Sequence, residues 1–324
     1  MEHSIALVTG ATSGLGHAAA RILAGEGWRE IIVTGRSLAR IQEMPAQLAA
    51  ETKRQVFTPL ELELDTPSSV QSALAALVKR GRPIDFLLLN AGMVPGKARV
   101  LTAAGVEASQ APLIGHHQLT LGLLGANLLS PDARIVIVGA EPARGDVPLF
   151  SFTDVAAFAA KHHQGDRTAA VAALVRGGPN VKYQANRAYA DAKLIIAWWA
   201  PALARRLPSG MAVYAVAPGS APDTKVVRNA GPALKWLMIP LVKLIPGMSQ
   251  TPETAARRYI QASKFGTDVS GQFFASAPKK LTGPIEAMRH PHLHDRANQE
   301  AAWQAVVDVS GVDLPYPASL RAVS

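Results

Sequence analysis

Tyr189 and Lys193 stand four residues apart in a stretch with helical periodicity, which sets both side chains on one helix face. A phenol with an ordinary pKa of about 10 is a poor acid–base catalyst at neutral pH. An ammonium on the same face stabilises phenolate and brings the group closer to neutrality. Such a couple can give a proton to a carbonyl oxygen or take one from an alcohol. A core tyrosine beside a surface lysine is the plainer alternative, so the weight of the pair depends on what else the chain carries.

A second cluster, Thr9-Gly10-Ala11-Thr12-Ser13-Gly14-Leu15-Gly16, lies between the apolar run Ile5–Thr9 and a helical pattern that opens at Leu15. A tight turn needs glycine, and so does a backbone that must approach a pyrophosphate at a helix N-terminus. Glycine also serves βα turns that bind nothing. Its position after the first strand of a βαβ pattern favours a nucleotide. The second strand ends Thr34-Gly35-Arg36-Ser37, with no acid to bind ribose hydroxyls. Arg36 offers a planar, permanently charged fork for a 2′-phosphate, and Arg40 adds charge one turn later. NADP(H) is the expected cofactor. A solvated arginine at an exposed helix start is the alternative.

The spacing Thr-Gly-x-x-x-Gly-x-Gly resembles that of the short-chain dehydrogenase/reductase family. Three further motifs follow in that family's order: Asn90-Ala91-Gly92 after the fourth strand, Tyr189-x-x-x-Lys193 opening a helix, and Pro218-Gly219 after the sixth strand. Gly115-His116 with Leu119-Thr120, and the extended segment before Tyr189, resemble the retinol-dehydrogenase-like branch. The resemblance covers residues 4–277. It implies an α/β fold of the Rossmann type, a doubly wound parallel sheet of seven strands flanked by helices. It implies hydride transfer at nicotinamide C4, with Tyr189 as acid/base and Lys193 as its partner and a ligand of the nicotinamide ribose. Cofactor contacts are implied for Gly10, Thr12, Ser13, Gly14, Leu15, Gly16, Asn90, Gly92, Pro218, Gly219 and Thr224, and for Asp65 at the adenine amino group. Asp65 would be equally at home capping the helix that begins at Pro67. The expected activity is NADP(H)-dependent interconversion of an apolar, fairly bulky alcohol with its ketone or aldehyde. The rival is a cofactor-binding sensor or scaffold without catalysis. Trp236, Phe150 and Phe152 would suit a roomy apolar pocket.

The chain departs from the family pattern at three places. The fifth strand ends Val138-Gly139-Ala140-Glu141, with Ala140 where the family has the serine that hydrogen-bonds the substrate oxygen. Losing one such donor typically costs on the order of 10²–10³ in rate. Ser151 or Thr153 could supply the hydroxyl instead. Otherwise the chain is a non-catalytic relative, or a serine has been changed deliberately to alanine to hold substrate. The helix asparagine that anchors a relay water falls at Pro112, where Gln110, His116 or His117 could substitute. After Pro218-Gly219 the nicotinamide-binding threonine falls one residue late, at Thr224, behind Asp223.

These residues need a scaffold, and the apolar pattern supplies one. Strands are expected at Ile5–Thr9, Ile31–Thr34, Val56–Leu64, Phe86–Leu89, Ile135–Val138 and Val213–Val216, and helices near 15–26, 38–51, 67–80, 109–129 and 186–207. Strands alternating with helices imply a parallel sheet covered on both faces. Residues 1–284 are expected to form a single dinucleotide-binding and catalytic domain. An inserted segment at 141–185 would hold one helix at 154–175, and a substrate lid would span 220–250. Residues 285–324 lose the rhythm and read as a tail packed on the domain. In the lid, Leu234, Leu237, Met238, Leu241 and Ile245 form a helical stripe. It suits closure over substrate, an ordinary core helix, or a membrane-surface contact helped by Lys235 and Lys243.

Composition narrows the function further. The 324 residues are 48% hydrophobic and 18% charged, which excludes wholesale disorder. The net charge of +9 comes without a Lys/Arg run and with only 6% aromatics, so a nucleic-acid reader is not favoured. The absence of cysteine excludes disulfides and thiol chemistry. His116-His117, His162-His163 and His290-x-His292-x-His294 lack accompanying acids, and exposed loop histidines rather than a metal site are expected. No signal peptide and no apolar stretch of spanning length are evident, so a soluble cytoplasmic protein is expected, as a homodimer, a homotetramer or alone.

Overall fold

The computed structural model describes residues 5–221 and 249–314. Strands β1 (Ile5–Val8), β2 (Glu30–Gly35), β3 (Phe57–Glu61), β4 (Ile84–Leu89), β5 (Leu129–Val138), β6 (Ala212–Val216), β7 (Phe273–Ser276) and β8 (Ile285–Ala287) form one sheet. Their order is β3-β2-β1-β4-β5-β6-β7-β8. Pairing is parallel from β3 to β7, and β8 runs antiparallel to β7 with Phe274 opposite Ala287. The strand order reverses between β1 and β4. In an open α/β sheet the crevice at the carboxyl ends of such a pair is where ligands bind.

Alternation along β1 explains why both faces are covered. Ile5 and Leu7 point into one core with Ile137, Leu119, Trp199 and Trp303, while Ala6 and Val8 point into another with Leu23, Tyr214 and Tyr259. The first core lies under α3 (Pro67–Arg80), α4 (Ala111–Gly125), α7 (Ala185–Ala204) and α9 (Arg296–Ser310). The second lies under α1 (Gly14–Gly25), α2 (Leu38–Thr52) and α8 (Pro252–Ala262). Strands buried on both sides need apolar residues at every position, as β1 and β6 have.

Three expectations are corrected. The sheet has eight strands, not seven, because Ile285–Ala287 pairs on the far edge. The residues read as a tail thus supply β8 and a helix. α9 is capped by Asp295, whose carboxylate accepts from the Ala297 and Asn298 amides, and it packs Trp303 against Trp199. The inserted segment holds two helices, α5 (Val155–His162) and α6 (Arg167–Arg176), rather than one. Gly165 at φ 86 turns the chain between them, and the Asp166 carboxylate caps α6. The stripe Leu234–Ile245, Trp236 and most of the expected lid lie outside the described residues.

Candidate active site

The turn after β1 is built for close approach. Gly10 has φ +66, and a β-carbon there would meet Ala91 at 3.0 Å. A β-carbon on Gly16 would sit 2.5 Å from the Asn90 amide nitrogen. Ser13, the N-cap of α1, makes no side-chain capping bond, and no acid occupies the first turn. The first N–H groups of α1 are therefore free of local acceptors and suited to phosphate oxygens. Thr12 and Leu15 flank them, both partly exposed.

At the end of β2, Arg36 and Arg40 are exposed, and neither has an ion-pair or hydrogen-bond partner among the described residues. Asp65 is exposed, and it is Thr66 rather than Asp65 that occupies the N-cap of α3. The capping alternative for Asp65 is thereby removed. The Asn90 amide donates to the Thr9 carbonyl at 2.9 Å and so ties β4 to the β1 turn. Thr9 is the buried hub of this junction: its hydroxyl accepts from the amides of Asn90 and Ala91 at 2.8 and 3.0 Å and meets His116 Nε2 at 2.9 Å.

Tyr189 and Lys193 share a face of α7 as the spacing predicts, with the ammonium 5.8 Å from the phenol ring centre. Lys193 Nζ donates to the Val138 carbonyl at 2.8 Å and lies 3.9 Å from a β-carbon built on Gly92. The ends of β4, β5 and α7 thus converge. The electrostatics reverse the expected sign. Burial, and then the charge of Glu141, raise the Tyr189 phenol above its ordinary range. Burial pulls Lys193 down to about 8. In this arrangement the Tyr189 phenol keeps its proton.

Ala140 follows β5 and is buried, at the start of the short 3-10 turn Glu141–Arg144. A β-carbon on Gly139 would lie 2.8 Å from the Phe273 ring, which explains the glycine there. Thr153 is not the missing donor, because its hydroxyl and amide both go to Asp191, at 3.0 and 2.6 Å. Ser151 is exposed, and among the described residues nothing hydrogen-bonds the Tyr189 hydroxyl. Phe150 packs edge-on against the Tyr189 ring at 5.9 Å.

The sequence reasoning overlooked the acid next to Ala140. Glu141 is buried and pairs with buried Arg258 at 3.2 Å. Burial raises its carboxyl against the pull of Arg258. Arg258 also donates to the Ala217 and Gly283 carbonyls, and so holds the segment after β6. There Gly219 has φ +79, and a β-carbon would collide with Gln250 and meet Arg258 at 2.8 Å. Gln250 in turn donates to the Pro218 carbonyl. Thr224 lies outside the described residues.

The helix α4 begins at Ala111, so Pro112 sits in the first turn, where its missing N–H costs nothing. His116 and His117 are not loop residues but are buried in α4. Burial, aided by Lys193, takes His116 down to about 3, and burial takes His117 to about 4. His117 donates from Nε2 to the Val312 carbonyl and accepts from Trp199 at Nδ1, which fixes a neutral tautomer. Among the described residues no three His, Cys, Asp or Glu side chains gather as a metal site. No described helix is long and apolar enough to cross a membrane.

Fold, turn and crevice define an α/β chain of the Rossmann type. A family model described as short chain dehydrogenase matches residues 4–140. Over that segment, less than half of the chain, the sequence is similar to the short-chain dehydrogenases. Serine 3-dehydrogenase of Agrobacterium fabrum is 40% identical over 28% of this chain, a stretch that spans only 34% of that protein. The chloroplastic protochlorophyllide reductase of Chlamydomonas reinhardtii is 26% identical over 96% of this chain and 79% of its own length. A crystal structure of a short chain dehydrogenase from Burkholderia cenocepacia J2315 in complex with NADP superposes with a TM-score of 0.57. That structure is 22% identical, covering 83% of this chain and 94% of its own.

Proposed function

We propose that this chain is an NADP(H)-dependent oxidoreductase that interconverts an apolar, fairly bulky alcohol and its ketone or aldehyde. The observation that carries the reading is the meeting of Tyr189, Lys193 and Gly92 at the strand ends, beside the uncapped start of α1. The residues fit the cofactor: close-approach glycines and free helix N–H groups for a pyrophosphate, and two unpaired arginines for a 2′-phosphate. The NADP complex of the Burkholderia protein supports the same choice. When bound, the nicotinamide supplies or accepts hydride at C4.

Gly10, Thr12, Ser13, Gly14, Leu15 and Gly16 would hold the phosphates, Arg36 the 2′-phosphate and Asp65 the adenine. Gly92, Pro218 and Gly219 would line the nicotinamide end, and Lys193 would bind the ribose. Tyr189 gives its proton to the substrate oxygen during reduction. The raised phenol is protonated in the resting site, which is the form that reduction starts from. Leu149 (86% exposed) and Phe150 beside Tyr189 present apolar surface to the substrate. The likeness of Gly115-His116 to the retinol-dehydrogenase-like branch agrees with a substrate of this kind.

A cofactor-binding protein without catalysis is the second reading, and Ala140 with the committed Thr153 hydroxyl favours it. NADPH titration and a screen of apolar ketones, aldehydes and alcohols, run on this chain and on Ala140→Ser, separates the two. Turnover by either protein supports the enzyme. NADPH binding with no turnover by either supports the second reading.

A further inference from the structure

The segment 145–153 carries Phe150 onto the Tyr189 ring, and two acids pin its ends. At the first end the Asp146 carboxylate accepts from Arg144 at 2.8 Å and from the Lys279 amide at 2.7 Å. At the second, Asp191 accepts from the Thr153 amide at 2.6 Å and its hydroxyl at 3.0 Å. Between them Asn186 donates to the Leu149 carbonyl at 3.1 Å, and Phe152 packs against the His292 ring at 4.8 Å. Leu149 has φ 69, a left-handed conformation that a leucine holds only under constraint. Asn186, Tyr189 and Asp191 all belong to the first turns of α7, so one rigid element holds both the phenol and the segment that packs on it.

We propose that Asp191 is a positioning residue: its carboxylate latches the 145–153 segment through Thr153, sets Phe150 against Tyr189, and loosens that segment when it takes up a proton. The consequence for turnover rests on the catalytic reading of Tyr189; the latch itself does not.

Asp191 is buried, and burial pushes its carboxyl up to about 7 against the pull of both Thr153 bonds and of Arg187. The side of α7 behind it borders a cavity of about 20 Å³, enough for one water. The polar and charged groups lining that space with Asp191 are Arg99, Glu107, Gln110, Lys182, Tyr183 and Arg187. Arg187 is the listener that favours the charged form; Glu107 is a like charge, itself engaged by Ser109. A raised carboxyl gains its proton as pH falls through about 7. Above that value both Thr153 bonds are charge-assisted; below it they are ordinary and weaker.

Hydrogen exchange of the chain without cofactor or substrate tests the latch independently of activity. Peptides covering 146–153, corrected for intrinsic rates, should exchange about tenfold faster at pH 6 than at pH 8, the scale of one lost charge assistance. Asp191→Asn keeps the shape but cannot titrate; it should exchange at the faster rate at both pH values. Thr153→Val removes one bond to the charged form and should move the transition to higher pH. A flat pH dependence in the parent chain, an unchanged one in Asp191→Asn, or an unmoved transition in Thr153→Val overturns the proposal. If exchange behaves as expected but no substrate turns over, the latch stands and the catalytic reading fails.

Discussion

Placing a hydroxyl at position 140 is the sharpest perturbation the site offers. Ala140 is 4% exposed, with φ −163 and ψ 155, extended backbone that serine adopts without strain. The substitution adds one oxygen to a β-carbon already present. The same change at Gly139 would drive into Phe273. A positioned donor to a developing oxyanion contributes about 10²–10³ in rate, or roughly 2.7–4 kcal/mol. A competing use lowers that figure: position 140 is the N-cap of the 3-10 turn, where a serine oxygen can turn toward the turn's own amides. The expectation for Ala140→Ser is therefore the lower end, about a hundredfold in kcat. KM should change much less, because a bond that strengthens in the transition state acts on turnover. Single-turnover oxidation of NADPH with a panel of apolar ketones measures it. A folded Ala140→Ser protein with kcat unchanged on substrates that the parent turns over would refute the assignment. A gain confined to KM would do the same.

If Tyr189 is the proposed acid, Tyr189→Phe should abolish turnover while leaving NADPH binding within about twofold, because the change removes only the hydroxyl assigned to the substrate oxygen; unchanged turnover removes Tyr189 from the chemistry. Arg36→Ala should cost NADPH affinity about 10- to 100-fold and leave NADH affinity nearly unaltered, the worth of one charge-assisted phosphate contact. Titration of both cofactors checks this, and equal losses for both reject it. His117 makes acid destabilising: its folded value of about 4 lies below the ordinary 6.5, so the unfolded chain binds more protons as pH falls through that window. The loss should reach about 2 kcal/mol at pH 5 and be smaller in His117→Gln, read from denaturant midpoints at pH 7 and 5. An identical pH dependence in the variant would show that the imidazole carries none of it.

What the sequence made legible was local. The turn Thr9–Gly16 needs its glycines for backbone reasons visible in one stretch, and the pair Tyr189/Lys193 needs only the helical repeat. The shortest and latest elements escaped. β8 is three residues long and antiparallel, so it breaks the strand–helix rhythm that identified the others. The break between α5 and α6 did carry a signal, Gln164-Gly165-Asp166, a turn followed by a cap, but a continuous apolar pattern masked it. His116 and His117 were read as exposed because they are polar. Yet α4 is apolar on nearly every face, and a helix of that kind is buried all round.

The sign of the Tyr189 shift shows where local reading stops. Spacing along α7 brings a lysine near the phenol, and from that alone phenolate should gain. Burial of the phenol outweighs it first, and two non-local facts act in the same direction. Lys193 is drawn to the Val138 carbonyl at the end of β5, which fixes the ammonium near Gly92 rather than on the hydroxyl. Glu141, from the turn after the same strand, brings a negative charge close enough to disfavour another. Glu141 is held in the interior by Arg258, from the opposite face of the sheet, at 3.2 Å and by the Ser276 hydroxyl at 3.4 Å. The proton on Tyr189 is thus set by three elements far apart in the chain. Glu141→Gln, by removing the like charge, should ease ionisation of the phenol and shift the balance of rates toward alcohol oxidation.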